Sequence, residues 1–178
     1  RAAGRYFATH RAPAARTGQR RGRLRQRPIP ELQQLRGEHR SVEACVISDA
    51  SRVVAPMPGR QAEIFGRFDL RDARLFGLNI GRANDERQAI AIRYDGRELE
   101  VAGVVFPLSL SEDRDILTLH LFIDRSVMEL CVNDGGACAT SIAALPDDAA
   151  ITLLSEGGAV NVTQLDVWEM RSIWPSLI

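Results

Sequence analysis

Residues 116–140 constrain the fold of this chain more than any other stretch, because they encode two chain reversals within about twenty-five residues. The stretch reads ILTLHLFIDRSVMELCVNDGGACAT. In its first run every second residue is apolar, and these residues are Leu117, Leu119, Leu121 and Ile123. Alternation with a period of two is typical of a strand with one buried face. The run therefore predicts a half-buried β-strand.

A second strand follows a short turn and continues the same apolar face with Met128, Leu130 and Val132. The turn contains Asp124 and Ser126, whose side chains can accept hydrogen bonds from nearby backbone N–H groups. The second run ends in Asn-Asp-Gly-Gly at residues 133–136, which tolerates positive φ angles. The whole stretch thus predicts a β-meander with two reversals.

The opposite face of this hairpin carries the residues that we expect to make contacts. Pairing about the short turn places Glu129 near Phe122, and the same register places Cys131 near His120. An exposed aromatic side chain on a sheet normally marks a contact. We therefore expect this face to meet another domain or a sugar, or the second sheet if the parity is reversed. The candidate partner or sugar contacts are His120, Phe122, Asp124, Arg125 and Glu129.

Short runs of the same kind recur along the chain and predict an all-β fold. The predicted strands are residues 42–48, 62–69, 74–80, 88–94, 98–102, 149–154 and 160–170. The predicted connections are a short helical turn at 31–36, a loop at 52–60, a tight turn at 95–96, an irregular link at 104–110 and a turn at 156–158. About ten short strands at this spacing indicate a two-sheet antiparallel β-sandwich of the concanavalin or jelly-roll type.

The run LHLFIDRSVMELCVNDG resembles the signature hairpin in the C-terminal β-sandwich of glycoside hydrolase family 32, which contains invertases, levanases and inulinases. The residues that match this pattern one by one are Asp124, Arg125, Ser126, Glu129, Asn133, Asp134 and Gly135. Met128 and Cys131 depart from it, since that family usually has a β-branched and an aromatic residue there. Residues 27–37 and 167–174 are similar to the segment that enters the sandwich and to its closing strand. The resemblance therefore covers about residues 22–174.

The resemblance implies that the chemistry of the family belongs to a separate N-terminal propeller with Trp-Met-Asn-Asp-Pro-Asn-like, Arg-Asp-Pro and Glu-Cys motifs. None of these three motifs occurs in the sequence. We therefore expect a non-catalytic accessory module, not an enzyme on its own, that supports or docks on a catalytic propeller absent from this chain. The partners implied are that propeller, a second copy of the module, or a weakly bound fructan or other carbohydrate.

A free-standing, lectin-like carbohydrate-binding module is the alternative. Such modules stack sugar rings on a platform of aromatic side chains. With six Phe, two Tyr and two Trp in the chain, a platform of several aromatics is hard to assemble. The composition therefore favours the accessory module.

Catalysis by this hairpin is not expected, although Asp124 and Glu129 are two carboxylates on one hairpin, as glycoside hydrolysis requires. Their positions are explained if Asp124 accepts hydrogen bonds in the turn and Glu129 lies on the solvent face. The three Cys and three His residues lack the spacing of metal ligands, so we expect no metal and no cofactor. We expect free thiols, and a bridge between Cys131 and Cys138 is the alternative.

The basic charge of the chain is concentrated at its start. Residues 1–40 hold eleven Arg and two Glu, a net charge of +9, while the remaining residues carry −9 and the chain has no Lys. Residues 1–21 show no helical period and little aromatic interleaving. We therefore expect a basic, partly disordered arm over residues 1–21 and a sandwich over residues 22–178. We expect no nucleic-acid partner, and no membrane partner because no apolar run approaches the roughly 20 residues of a span.

Overall fold

The computed structural model describes residues 7–10, 25–70, 72–82, 90–110, 115–133 and 136–172, which form β-strands and one 3-10 helix. The strands are β1 (Phe7–His10), β2 (Arg25–Pro28), β3 (Arg36–Ser41), β4 (Cys45–Pro56), β5 (Gln61–Asp69), β6 (Leu75–Gly81), β7 (Ile90–Tyr94), β8 (Glu98–Val101), β9 (Val104–Pro107), β10 (Ile116–Asp124), β11 (Val127–Val132), β12 (Gly136–Ser141) and β13 (Ala150–Met170). The 3-10 helix Pro30–Leu35 lies between β2 and β3 and confirms the predicted helical turn.

Eleven strands form one antiparallel ladder that folds over itself into two layers. Their order is β12-β11-β10-β5-β13-β6-β7-β8-β9, and β3 and β4 pair with the other edge of β13. Strand β13 belongs to both layers, because residues 150–156 pair with β6 and residues 161–169 pair with β5. The layer that contains β5, β10 and β11 is called the first layer below. The predicted all-β antiparallel sandwich is therefore confirmed.

The predicted turn at residues 156–158 is instead a bulge inside the continuous strand β13, so that prediction was wrong. Gly157 and Gly158 have φ angles of 67° and 146°. The side-chain oxygen Oδ1 of Asp49 accepts hydrogen bonds from their backbone N–H groups at 2.6 and 3.3 Å. A Cβ atom at Gly158 would lie 2.4 Å from the carbonyl oxygen of Asp72. These contacts bend the strand where it passes from one layer to the other.

Two further stretches were predicted as loops and are strands. Residues 52–56 belong to β4, because their backbone groups pair with residues 150–153 of β13, which lie about a hundred positions later in the chain. Residues 104–107 form β9, which pairs with β8 through a turn at Ala102 and Gly103. Val104 and Val105 of β9 are both exposed. The alternation of apolar and polar residues that marks a half-buried strand is therefore missing from β9.

The central hairpin forms as its sequence predicted. Strand β10 pairs with β11 so that His120 lies opposite Cys131 and Phe122 lies opposite Glu129. The alternate residues Leu117, Leu119, Leu121 and Ile123 are at most 3% exposed. They pack into the core between the layers with residues of the other strands, among them Ile64, Phe68, Phe76, Leu78, Ile92, Leu99, Met128, Leu130, Ile151 and Leu165. The predicted buried parity is confirmed.

Four residues of the predicted basic arm are described, and they form β1. This strand pairs with β2 in a two-stranded sheet that is separate from the main ladder. The rest of residues 1–21 lies outside the described ranges, so the boundary at residue 22 stays a prediction. No helix among the described residues is long and apolar enough to cross a membrane.

Candidate functional site

The candidate residues gather on the face of the first layer that points away from the core, called the outer face below. On β5 this face carries Glu63 and Phe65, since Ile64 between them is fully buried in the core. The register places Glu63 opposite Phe122 and Phe65 opposite His120. Because side chains alternate between the two faces of a strand, all of these residues project to the same side. The outer face thus combines charged and aromatic side chains.

A groove of about 720 Å³ runs between the outer face and the segment at residues 27–33, which enters the sandwich. The groove is lined by Arg27, Pro28, Ile29, Pro30, Leu32, Gln33, Arg36, Glu63, Phe65, Arg67, Ile116, Thr118, His120, Phe122, Cys131 and Asn133. Pro28 and Pro30 hold the entering segment extended until the 3-10 helix begins. The groove therefore has an apolar wall and a mixed polar and aromatic floor.

Glu63 is the most deeply buried charged residue of the floor, with an exposure of 1%. Arg36 donates to both of its carboxylate oxygens, at 2.8 Å through Nε and 2.6 Å through Nη2. The ring nitrogen Nε2 of His120 lies 2.7 Å from the oxygen Oε1. Burial raises the pKa of Glu63, but the hydrogen bonds from Arg36 and His120 outweigh burial and bring the pKa below its ordinary value. Glu63 is therefore a carboxylate at neutral pH, with both oxygens engaged.

The polar network continues past Arg36 to the closing part of β13. The guanidinium carbon of Arg36 lies 3.9 Å from the ring centroid of Trp168, and His39 stacks on the same ring at 4.7 Å. His39 contacts Asp166 Oδ1 at 2.8 Å, and Gln164 donates to Oδ2 at 2.7 Å. Burial raises the pKa of Asp166, but these hydrogen bonds outweigh it and the pKa falls below its ordinary value. Charged groups on three strands are thus joined through aromatic and ionic contacts.

His120 lies between two phenylalanine rings. Its centroid is 5.3 Å from the ring of Phe65, which it meets edge to face, and 4.7 Å from the ring of Phe122. Such contacts hold the imidazole ring in one orientation. That orientation points Nε2 at Glu63.

The exposure predicted for this face was wrong. Phe122 is 7% exposed and Glu129 is 9% exposed, although both were predicted on a solvent face. The entering segment packs across the outer face, where its residue Leu32 is itself buried. Sequence periodicity assigns residues to a face of a strand, but it does not reveal a segment that covers that face from about ninety residues away.

The five candidate residues do not form one cluster. His120, Phe122 and Glu129 lie together in register on the outer face. Asp124 lies at the end of the hairpin and accepts a hydrogen bond from Gln61 Nε2 at 3.0 Å. Arg125 has a φ of 55°, and its backbone N–H donates to the carbonyl oxygen of Arg60. Asp124 and Arg125 therefore anchor the turn.

Arg36, Glu63 and Trp168 were missed as site residues, although they are central to the observed network. The sequence carried one signal for Glu63. This carboxylate shares a strand face with the aromatic residue Phe65, while the other face of the same strand is apolar. Its partners Arg36 and His120 are 27 and 57 residues away in sequence. The sequence alone offers no way to pair them.

Glu63 on β5 and Glu129 on β11 lie on either side of Phe122 on β10. Their Cα atoms are therefore two strand spacings apart, about 9 to 10 Å. Burial raises the pKa of Glu129, and its oxygen Oε2 is buried without a hydrogen-bond partner among the described residues. Carboxyl groups with divergent pKa values are a feature of glycosidase sites. Glu63, however, has no free oxygen with which to attack a sugar or activate a water. The pair therefore suits a structural role.

Metal ligation has no support in the described part of the chain, where no group of three or more His, Cys, Asp or Glu residues is placed to hold an ion. Cys45 is half-buried and Cys131 is buried. The side chain of Cys138 lies outside the described ranges, so the alternative disulfide stays untested.

Curated relatives of the chain include two enzymes. Sucrose-6-phosphate hydrolase from Escherichia coli is 28% identical over 158 residues, which cover 84% of this chain and 32% of the relative. Levanase from Bacillus subtilis (strain 168) is 27% identical over 173 residues, covering 85% of this chain and 25% of the relative. The chain therefore spans about a third to a quarter of the length of these relatives.

Solved structures show the same fold at low sequence identity. Fructan 1-exohydrolase IIa from Cichorium intybus is 14% identical with a TM-score of 0.70, over 85% of this chain and 39% of that one. A fructosyltransferase from A. japonicus is 18% identical with a TM-score of 0.69, over 86% of this chain and 30% of that one. Residues 31–169 match the family described as "Glycosyl hydrolases family 32 C terminal". That match contains most of the 3-10 helix, the central hairpin and nearly all of β13, and the chain belongs to this family of C-terminal domains.

Proposed function

We propose that this chain is a non-catalytic accessory module of an enzyme that acts on β-fructosides, where it supports a catalytic domain. The proposal is supported by the family match over residues 31–169 and by relatives named sucrose-6-phosphate hydrolase and levanase. The chain corresponds to a third or less of those relatives, which leaves most of their length for other domains.

The observation that carries the proposal is that two carboxylates on the outer face are already engaged by neighbouring side chains. Glu63 is held by Arg36 and His120, and Asp166 is held by His39 and Gln164. A glycosidase requires two carboxyl groups that are free to face the sugar from either side of the scissile bond. Side chains engaged in this way stabilise a fold and do not present a nucleophile.

The entering segment indicates where a supported domain would pack. Strand β2 pairs with β1 and leads directly into the 3-10 helix that forms one wall of the groove, so a domain that packs against these two strands would lie beside that wall. Contact there would extend the interface between the entering segment and the outer face. We infer that this side of the module is its docking side.

A chimera tests the supporting role. Residues 31–169 of this chain would replace the matching segment of the levanase, and the chimera would be compared with a levanase that lacks the segment. We expect the truncated enzyme to lose thermal stability and activity, and the chimera to recover at least part of both. A chimera with Arg97→Gln, an exposed residue on the β7–β8 turn, serves as the matched control.

The contradicting outcome is a chimera that is no more stable or active than the truncated enzyme, while circular dichroism shows that the sandwich within it is folded. In that case the module would not support the catalytic part of such an enzyme.

A further inference from the structure

The groove on the outer face is positively charged, in contrast to most of the chain. Among its lining residues, Arg27, Arg36 and Arg67 are cationic, and Glu63 is the acidic one. Glu63 is matched by Arg36 at 2.6 Å. Residues 41–178 as a whole carry a net charge of −9. The groove thus concentrates positive charge on a module that is otherwise acidic.

The carboxylate and amide acceptors on the floor of the groove are already used. Both oxygens of Glu63 accept from Arg36, and Oε1 also faces His120. The amide oxygen of Asn133 accepts from the backbone N–H of Thr118 at 2.8 Å. A sugar hydroxyl donates as well as accepts, whereas an ionised phosphate or carboxylate group only accepts and so needs only donors. The floor therefore suits a ligand that brings its own acceptor oxygens.

Three side chains that can donate hydrogen bonds line one end of the groove. Arg67 lies opposite Thr118 in the register of β5 and β10. Two hydrogen bonds hold Asn133 against Thr118: the backbone N–H of Thr118 donates to Asn133 Oδ1, and the backbone N–H of Asn133 donates to the carbonyl oxygen of Thr118. Because the oxygen of the Asn133 amide is engaged, its NH₂ group remains as the donor. The guanidinium of Arg67 makes no ion pair or hydrogen bond within the described residues. Asp69, two residues further along β5, does not line the groove.

Apolar surface adjoins this donor end. Phe65 and Ile116 are half-buried floor residues, and Ile29 faces them from the entering segment. The volume of about 720 Å³ lies within the range of small-molecule sites. The groove has room for more than an inorganic ion, and it offers apolar contact beside the charged end.

From this arrangement we propose that the groove binds a small organic anion. Its phosphate or carboxylate group contacts Arg67, Thr118 and Asn133, and its body packs on Phe65 and Ile116. A sugar phosphate or a sugar acid has this chemistry. The site is built from residues of this chain alone, so it does not depend on the accessory role proposed above.

Isothermal titration calorimetry on the purified chain at low ionic strength tests this site. The probes are glucose 6-phosphate, glucuronate, inorganic phosphate and neutral glucose. We expect glucose 6-phosphate to bind with a Kd of roughly 0.1 to 1 mM, as two or three charge-assisted hydrogen bonds provide. Inorganic phosphate should compete more weakly, and added salt should weaken binding. Binding of glucuronate alone would assign the ligand to the carboxylates, and binding of glucose 6-phosphate alone would assign it to the phosphates.

Variants localise the effect. Arg67→Gln should lower the affinity about tenfold, and Thr118→Val should lower it several-fold while keeping the backbone contacts to Asn133. Arg97→Gln removes an exposed cation outside the groove and should leave the affinity unchanged. Thermal melts confirm that each variant is folded. Equal binding of neutral glucose and glucose 6-phosphate, equal affinities for Arg67→Gln and Arg97→Gln, or no binding of any anion would each overturn the proposal.

Discussion

At the scale of single residues, Glu63 and Glu129 show how two carboxyl groups on one sheet face, separated by strand β10, acquire opposite properties. Glu63 is buried beside a guanidinium and an imidazole, so its ionised form is favoured. Glu129 is buried with no partner for Oε2 among the described residues, so its neutral form is favoured. The difference arises from partners, since burial acts on both groups in the same direction.

We expect Glu63→Gln to destabilise the fold by roughly 2 to 3 kcal/mol at neutral pH, because it leaves Arg36 partly buried without its counter-charge. The folded-state pKa of Glu63 lies below the ordinary 4.5, so its contribution is present above pH 4.5 and lost as the pH falls further. Urea denaturation at several pH values measures this. Glu98→Gln, at an exposed glutamate, is the control. Equal stabilities of the two variants at pH 7 would refute the role of Glu63.

Glu129→Gln should have the opposite effect and stabilise the protein at pH 7 by about 1 kcal/mol. The folded-state pKa of Glu129 lies above the ordinary 4.5, so the folded state binds more protons than the unfolded state and wild-type stability falls as the pH rises from 4.5 through the raised pKa. The amide does not titrate. The advantage of the variant should therefore grow with pH in this window, and an advantage that is constant with pH would contradict the account.

At the scale of elements, strand β13 determines how the two layers are joined. Its apolar parity and its ends are visible in the sequence, since residues 149–154 and 160–170 were predicted as strands. The two glycines between them were interpreted as a reversal, because Gly-Gly is also typical of turns. Asp49, more than a hundred residues away, holds their N–H groups in a bulge. Local sequence does not distinguish a bulge from a turn when the deciding contact is that distant.

Substitution of glycines by alanine tests the bulge. Gly158→Ala should cost at least about 2 kcal/mol, because φ is 146° and the new Cβ would meet backbone atoms of residue 72. Gly103→Ala has a positive φ of 83° but open space around it, so it should cost only about 1 kcal/mol. Gly59→Ala has neither restriction and should be close to neutral. Chemical denaturation measures the loss of folding stability for each variant and so ranks the three substitutions. Similar losses of stability at all three positions would argue against the bulge.

At the scale of the whole molecule, the fold class and the central hairpin follow from the sequence, whereas the site does not. Alternation fixes which face of β10 and β11 enters the core, and the turn residues fix the hairpin register. The outer-face network instead depends on the entering segment, β5 and the end of β13, which meet only when the ladder closes. Arg36, Glu63 and Trp168 come from three separate parts of the chain.

The basic arm should contribute little to global stability. Its described part, β1, pairs with β2 in a sheet that is not hydrogen-bonded to the main ladder. We expect deletion of residues 1–21 to leave the Tm within about 2 to 4 °C of the full chain, the shift that about 1 kcal/mol produces in a domain of this size. Calorimetry of the two chains measures this. A much larger loss would show that the arm secures the entering segment.

We predict that this module, by itself, does not cleave β-fructosides. Glu63 has no free oxygen, and Asp124 is held at a turn by Gln61, so a nucleophile and an acid do not face a common cavity among the described residues. The direct measurement is the release of reducing sugar from sucrose, inulin and levan by the purified chain, beside an Asp124→Asn, Glu129→Gln double variant. We predict no release above the blank for either protein, and release by the wild-type chain that disappears in the double variant would contradict the account.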